Sequence, residues 1–160
     1  MPYESVPVTD ERARALLTEY FDYRAASFPQ VGGYVTHLPA PGAFTPPTGE
    51  FVLAIDDAGE AYGCGALRRL DDEVLGGSRR SVWEIKHLWV RESGRGTGAG
   101  RALLAELERR ARALGAQTVV LDTNASLTAA NGLYRSSGYA SIPPYNDNGN
   151  ATTWYLKDLV

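Results

Sequence analysis

The sequence predicts a single-domain α/β fold on a mixed, mostly antiparallel sheet of about six to seven strands, with helices on both faces. Three observations carry that expectation. An apolar hairpin precedes two segments of helical period, short strand-length apolar runs separate and follow those segments, and 160 residues suffice for one substantial core.

Residues 10–28 read as the first helix: Thr9 is a plausible N-cap, Asp10 and Glu11 suit the positive helix end, and Pro29 stops the pattern. Leu16, Leu17, Tyr20, Phe21 and Tyr23 give it an apolar, aromatic side. Residues 29–50 hold five of the nine prolines and read as a long loop with room for one short helix, an element often used for binding or as a lid. Residues 51–55 and 60–70 form a hairpin around the turn 56–59, and Gly63 and Gly65 mark a bulge or close approach in its second strand. A polar turn, 71–80, leads to a strand at 82–90 and a Gly-rich turn at 91–100. The next helix, 101–114, aligns Leu103, Leu104, Leu107, Ala111 and Leu114 and ends at Gly115. The continuously apolar run 118–121 reads as a buried strand. A helix at 127–137, with Ser126 as candidate N-cap and Gly138 as stop, precedes two strands, 139–142 and 152–157, around the loop 143–150.

Composition excludes several classes. A net charge of −3 argues against general nucleic-acid binding. Cys64 is the one cysteine, so neither an intrachain disulfide nor a cysteine zinc cage forms, and His37 and His87 lack metal-ligand spacing; no metal is expected. No apolar run reaches the ~20 residues of a membrane span, and the first ten residues lack the pattern of a signal peptide. The expected compartment is the cytoplasm.

The chemistry concentrates in Ser93-Gly94-Arg95-Gly96-Thr97-Gly98-Ala99-Gly100-Arg101, between a strand and a helix. Glycines let an anion approach the backbone, the first N–H groups of the helix lack internal partners, and Arg95 and Arg101 suit phosphate oxygens. The alternative is a merely flexible loop. No Gly-Lys-Ser or Gly-Lys-Thr follows, against a nucleotide triphosphatase. The loose GxGxxG/A match from Gly94 to Ala99, with Asp122 one strand on, suggests a dinucleotide. That reading fails because the preceding strand holds Glu84, Lys86 and His87, where such folds place a strand apolar on both faces.

On these residues the sequence resembles the GNAT superfamily of N-acetyltransferases. The pyrophosphate signature [QR]-x-x-G-x-[GA] is matched by Arg95-Gly96-Thr97-Gly98-Ala99-Gly100, and a later helix ends Leu133-Tyr134-Arg135-Ser136-Ser137-Gly138-Tyr139. The similarity spans about residues 51–159, with 1–50 as a helix and variable acceptor-side loop of one domain, 1–160. The resemblance implies acetyl-coenzyme A as co-substrate and a V-shaped slot between the splayed strands 82–90 and 118–121. The pantetheine arm would bond the backbone of Leu88, Trp89 and Val90. The pyrophosphate would rest on the amides of Gly96, Thr97, Gly98, Ala99, Gly100 and Arg101. Many members carry an Asn seven residues before the tyrosine; here Leu127 stands there, and Asn131 is the candidate substitute, against the alternative of an exposed helical Asn.

Acetyl transfer needs a neutral amine, a polarised thioester carbonyl and a proton for the leaving thiolate. The carbonyl would be polarised by a strand N–H near Leu88 or Trp89. Tyr134 is the candidate acid, against the alternative of a core aromatic. Glu84 is the candidate base, against an ion pair with Lys86; strict alternation puts Val82, Glu84, Lys86, Leu88 and Val90 on one face and Trp83, Ile85, His87 and Trp89 on the other. Cys64 is a weaker candidate as an acyl carrier, having no evident histidine partner. Tyr20, Tyr34 and Tyr145 are candidate acceptor-binding residues, and the expected acceptor is a small amine. A protein lysine or N-terminal amine, an acetyl-coenzyme A sensor without turnover, and a structural domain that has lost its cofactor stay open. Homodimers are common in the family.

Overall fold

The computed structural model describes residues 2–160. Its elements run β1 (Tyr3–Ser5), α1 (Glu11–Ser27), β2 (Gly49–Ile55), β3 (Ala61–Arg69), β4 (Val82–Val90), α2 (Ala99–Ala113), β5 (Thr118–Thr123), α3 (Thr128–Ser136), β6 (Ala140–Ile142) and β7 (Thr153–Asp158). Seven strands form one sheet in the order β1-β2-β3-β4-β5-β7-β6. Among the described residues only β4 and β5 pair in parallel, and α2 is the crossover between them. The expected α/β architecture is the observed one.

Two apolar clusters sandwich the sheet. On one face α2 buries Leu103, Leu104, Leu107 and Ala111 against Trp83, Ile85 and Val119, with Tyr134 of α3 beside them. On the other, α1 lays Ala13, Leu16, Leu17 and Phe21 on Phe51, Leu53 and Ala66. Each large apolar side chain so buried stabilises the fold by about 1.5–3 kcal/mol before entropy is counted. Residues 28–48 contain turns and no helix, so the short helix allowed for there is absent.

Local corrections have simple causes. The N-cap of α1 is Asp10, not Thr9, because its carboxylate accepts from the Arg12 amide at 2.8 Å. Leu127, not Ser126, caps α3, and no side chain assists it. β1 was not expected: it has only three residues, too few for a periodic signal, and it gains its register by pairing Glu4 with Leu53.

The central irregularity lies in β4. From Cys64 to Ala66, β3 advances two residues, while β4 advances three, from Trp89 back to Lys86. The extra residue makes a bulge, and His87 sits there with φ of 56°. This corrects the alternation expected for the strand. Leu88 and Val90 join Trp83 and Ile85 on the α2 face. Trp89 packs on the α1 cluster, and His87 meets the rings of Tyr20, Phe21 and Phe44 there.

Candidate active site

β4 and β5 share three rungs, Val82–Thr118, Trp83–Val119 and Glu84–Val120, and no register joins them further on. A cleft of about 1790 Å³ opens where they part, lined by Leu88, Trp89 and Val90 from one strand and Leu121, Asp122 and Thr123 from the other. The Gly-rich turn, α1, the 28–48 loop, the end of β3, α3 with the residues just before it, and residues 146–150 supply its remaining walls.

The turn after β4 contains one short 3-10 segment, Glu92–Gly94, before α2 starts. Gly96 and Gly98 have φ of 75° and 83°, a region that side-chain-bearing residues rarely adopt. The first carbonyl used by the helix is that of Gly98, which accepts from Ala102 at 3.0 Å. Among the described residues, the amides of Gly96, Thr97, Gly98, Ala99, Gly100 and Arg101 have no acceptor. A run of unpaired donors at the positive end of a helix fits an anion such as a pyrophosphate.

The two arginines of this turn are already engaged. Arg95 donates through Nε to the Val90 carbonyl at 3.0 Å and lies over the Trp89 ring at 4.7 Å. Arg101 donates to the hydroxyls of Ser136 and Ser137 at 2.8 and 3.1 Å, tying α2 to α3. Thr97 donates its hydroxyl back to the Gly94 carbonyl, tightening the turn.

Tyr134 lines the cleft and is 7% exposed. Its ring packs against Tyr139 and Tyr155, and among the described residues its hydroxyl has no hydrogen-bond partner. Burial pushes its phenol well above the ordinary value, so it keeps its proton through the neutral range.

Glu84 is 1% exposed and does not line the cleft. Its Oε1 accepts from Arg68 Nε at 2.7 Å and its Oε2 from the Tyr145 hydroxyl at 2.5 Å; Lys86 Nζ stands off at 3.9 Å. The ion pair weighed from the sequence therefore exists with Arg68 as its nearer cation. Tyr145 is turned toward Glu84 rather than into the cleft, and burial next to that carboxylate drives its phenol upward. Asn131 is 4% exposed and also turned inward: it donates to the carbonyls of Asn124 and Leu127 and accepts from the Tyr155 hydroxyl. That use leaves its amide little to offer a ligand.

Tyr20 and Tyr34 do line the cleft, beside Arg24 of α1. Tyr20 OH accepts from Arg24 Nη1 at 3.1 Å, and burial raises its phenol; that of Tyr34 is pushed up to about 12 for the same first reason. His87 is held neutral, pushed down to about 3 by burial and then by the charges of Lys86, Arg68 and Arg24. Among the described residues, its buried Nδ1 has no hydrogen-bond partner. Cys64 is buried, its thiol driven up by desolvation, as befits an inert core thiol.

Arg24 and Asn150 were not singled out from the sequence. A signal existed for Arg24, which follows Leu17, Tyr20 and Phe21 at helical spacing and so falls on the apolar side of α1. None existed for Asn150, whose partner Val35 is 115 residues away.

Residues 11–139 match the family model described as the acetyltransferase (GNAT) family. The chain belongs to that family. The GNAT expectation drawn from the turn and the later tyrosine helix is met, and with it acetyl-coenzyme A as the co-substrate such enzymes use. An uncharacterised N-acetyltransferase of Schizosaccharomyces pombe is 33% identical over 114 residues, 71% of this chain and 66% of that relative. The chain spans smaller shares, 56% and 36%, of two further curated relatives it matches. Among solved structures, a protein of Klebsiella pneumoniae provisionally named an acyl-CoA N-acyltransferase superposes with a TM-score of 0.74 at 26% identity, covering 99% of this chain and 97% of its own. A phosphinothricin acetyltransferase of Sinorhizobium meliloti, in complex with acetyl-coenzyme A, shares the fold with a TM-score of 0.64 at 19% identity, over 99% of this chain and 89% of its own. Among the described residues, no helix of this GNAT chain is long and apolar enough to cross a membrane, and no cluster of potential metal ligands occurs.

Proposed function

We propose that this chain transfers an acetyl group from acetyl-coenzyme A to a primary amine of a small molecule, by direct attack within a ternary complex. The observation that carries the reading is the run of unpaired amides from Gly96 to Arg101, beside the point where β4 leaves β5. These amides would hold the pyrophosphate, and the backbone of Leu88, Trp89 and Val90 would hold the pantetheine arm. Acetyl-coenzyme A supplies the activated acyl group as a thioester. The new bond joins amine nitrogen to acyl carbon, and the carbon–sulfur bond breaks.

In this reading Tyr134 protonates the departing sulfur, because its hydroxyl faces the cleft unpaired and keeps its proton. Glu84 takes the amine's proton at one remove, through water, since Arg68 and Tyr145 cover its carboxylate. The small-acceptor reading draws support from the walls that α1 and the 28–48 loop add to the cleft, the loop being held by the Asn150 side chain on both backbone sides of Val35.

Calorimetric titration with acetyl-coenzyme A tests the reading, alongside Gly98→Glu, which puts a carboxylate among the free amides. Micromolar binding that the variant loses supports it, and release of thiol on adding small amines completes it. A wild-type protein that binds no acetyl-coenzyme A sinks it.

A further inference from the structure

Arg24 lies in the last turn of α1 and is 8% exposed, yet no carboxylate lies within 4.0 Å of its side-chain nitrogens among the described residues. Its partners are neutral: Nη1 donates to the Tyr20 hydroxyl at 3.1 Å and Nη2 to the Asn150 carbonyl at 3.4 Å. Its guanidinium carbon sits 5.1 Å from the centroid of the Tyr34 ring and 6.0 Å from that of Tyr20. Buried guanidinium groups are normally paired, because desolvating an unpaired charge is costly. The negative end of α1 and two aromatic faces offset part of that cost, but they supply no full counter-charge.

The remaining charged groups of the cleft do not supply one either. Asp122 is bonded to Asn146 at 2.7 Å and stands 4.0 Å from Lys86, Arg68 is engaged by Glu84, and Arg69 by Asp72. Asp147 lines the same wall but is exposed. Arg24 is thus the one buried cation lining the cleft without a carboxylate partner, among the described residues. It sits on the acceptor side, among Tyr20, Tyr34 and the 146–150 segment, rather than on the Gly-rich turn. It lines the same cleft as Tyr134.

We propose that Arg24 receives a carboxylate of the acceptor, which makes the acceptor an amino-acid-like molecule carrying amine and carboxylate together. A carboxylate matches the single unpaired charge of Arg24, since its neighbours on the acceptor side are already met: Arg68 by Glu84, Arg69 by Asp72, and Lys86 by Glu84 and Asp122. The proposal rests on the acetyl-transfer reading above and narrows its substrate class.

The test is thiol release from acetyl-coenzyme A with each of the common amino acids, compared with the corresponding amino-acid amide. The amide keeps amine and side chain and loses only the carboxylate, and its less basic amine is the more available nucleophile. Preference for an acid over its amide is therefore a stringent result. At least about tenfold higher kcat/KM for an acid is expected. In Arg24→Gln that preference collapses toward equality while calorimetric binding of acetyl-coenzyme A is unchanged, and Arg24→Lys restores part of it. The wild-type comparison decides by itself if the variants fail to fold. Amides accepted as well as acids, or no acid accepted by a protein that binds acetyl-coenzyme A, overturns the proposal. Absence of acetyl-coenzyme A binding overturns the acetyl-transfer reading instead, a distinct result.

Discussion

Glu84 lies opposite Val120 on the last rung that β4 and β5 share. Three residues on, His87 carries the bulge that shifts β4 against β3. The strand thus loses one neighbour and re-aims its side chains against the other within a single turn of pleat. Leu88 and Val90 are left to pack toward α2 while Trp89 and His87 face α1, and the backbone edge between them borders the cleft. Unpaired strand backbone is costly when dry, so this edge is stable only beside water or a ligand that hydrogen-bonds to it.

Tyr134→Phe separates chemistry from packing. The lost hydroxyl has no partner among the described residues, so no buried group is left unsatisfied, and stability should change by no more than ~0.5 kcal/mol. The turnover number should fall by about 10²-fold or more, with acetyl-coenzyme A affinity intact. Stopped-flow or steady-state thiol release measures it; an unaltered kcat removes Tyr134 from the reaction.

Glu84 and Tyr145 can be told apart in the same way. Tyr145→Phe strips one donor from a carboxylate that is 1% exposed, a loss of about 1–3 kcal/mol in urea unfolding. It leaves Arg68 in place and should lower kcat/KM only slightly. Glu84→Gln should lower kcat/KM by about 10²-fold. Equal activity losses for the two variants would mean that Glu84 only positions Tyr145.

Gly65→Ala probes how α2 lies on the sheet. A Cβ there would stand 2.5 Å from Leu107 Cδ1, and Leu107 is fully buried, so its side chain must leave its rotamer or helix and strand must move apart. Overpacking of this kind costs about 1–3 kcal/mol, readable as a lower urea midpoint. A midpoint at the wild-type value would show that Leu107 can rotate away freely.

The sequence carried the parts of this fold that rest on local period and punctuation. The helix 99–113 shows in its leucine spacing, and its start shows in the glycines before it. The parting of β4 from β5 was available only by family resemblance, because no residue in Val119-Val120-Leu121 announces that pairing stops at Val120. The bulge was hidden for a related reason: a histidine at positive φ leaves no mark in hydropathy, although Gly65, which falls in the register shift, did signal irregularity in the facing strand. Asn131 and Tyr145 looked like ligand contacts by position, yet their polar atoms are bound to Tyr155 and Glu84, partners far away in sequence.

His87 should leave a signature in the pH dependence of stability. Its folded value is about 3 against 6.5 in the unfolded chain, so acid protonates the unfolded state first. The contribution is therefore complete above about pH 6.5 and is lost as pH falls toward 3, at about 1.4 kcal/mol per pH unit within that window. His87→Asn keeps a residue that tolerates positive φ and removes the titration. The wild-type minus variant difference in unfolding free energy should slope across pH 3–6.5 and be flat above it. Parallel curves would show that His87 titrates alike in the folded and unfolded chain.

Asn150 fastens the 28–48 loop to the far wall of the cleft, and the fastening can be cut alone. Its Nδ2 donates to the Val35 carbonyl at 2.7 Å and its Oδ1 accepts from the Val35 amide at 3.0 Å, while its backbone carbonyl separately accepts from Arg24 and Asn124. Asn150→Ala removes the first pair and spares the second, so Arg24 keeps its carbonyl partner. The fold should lose about 1–3 kcal/mol, and the Val35 amide should exchange with solvent at least about tenfold faster. Because the loop lines the proposed acceptor end, KM for the amine should rise with little change in kcat or in acetyl-coenzyme A affinity. Unchanged exchange at Val35 would show that other contacts hold the loop; a fall in kcat with constant KM would place Asn150 in positioning the reacting groups instead.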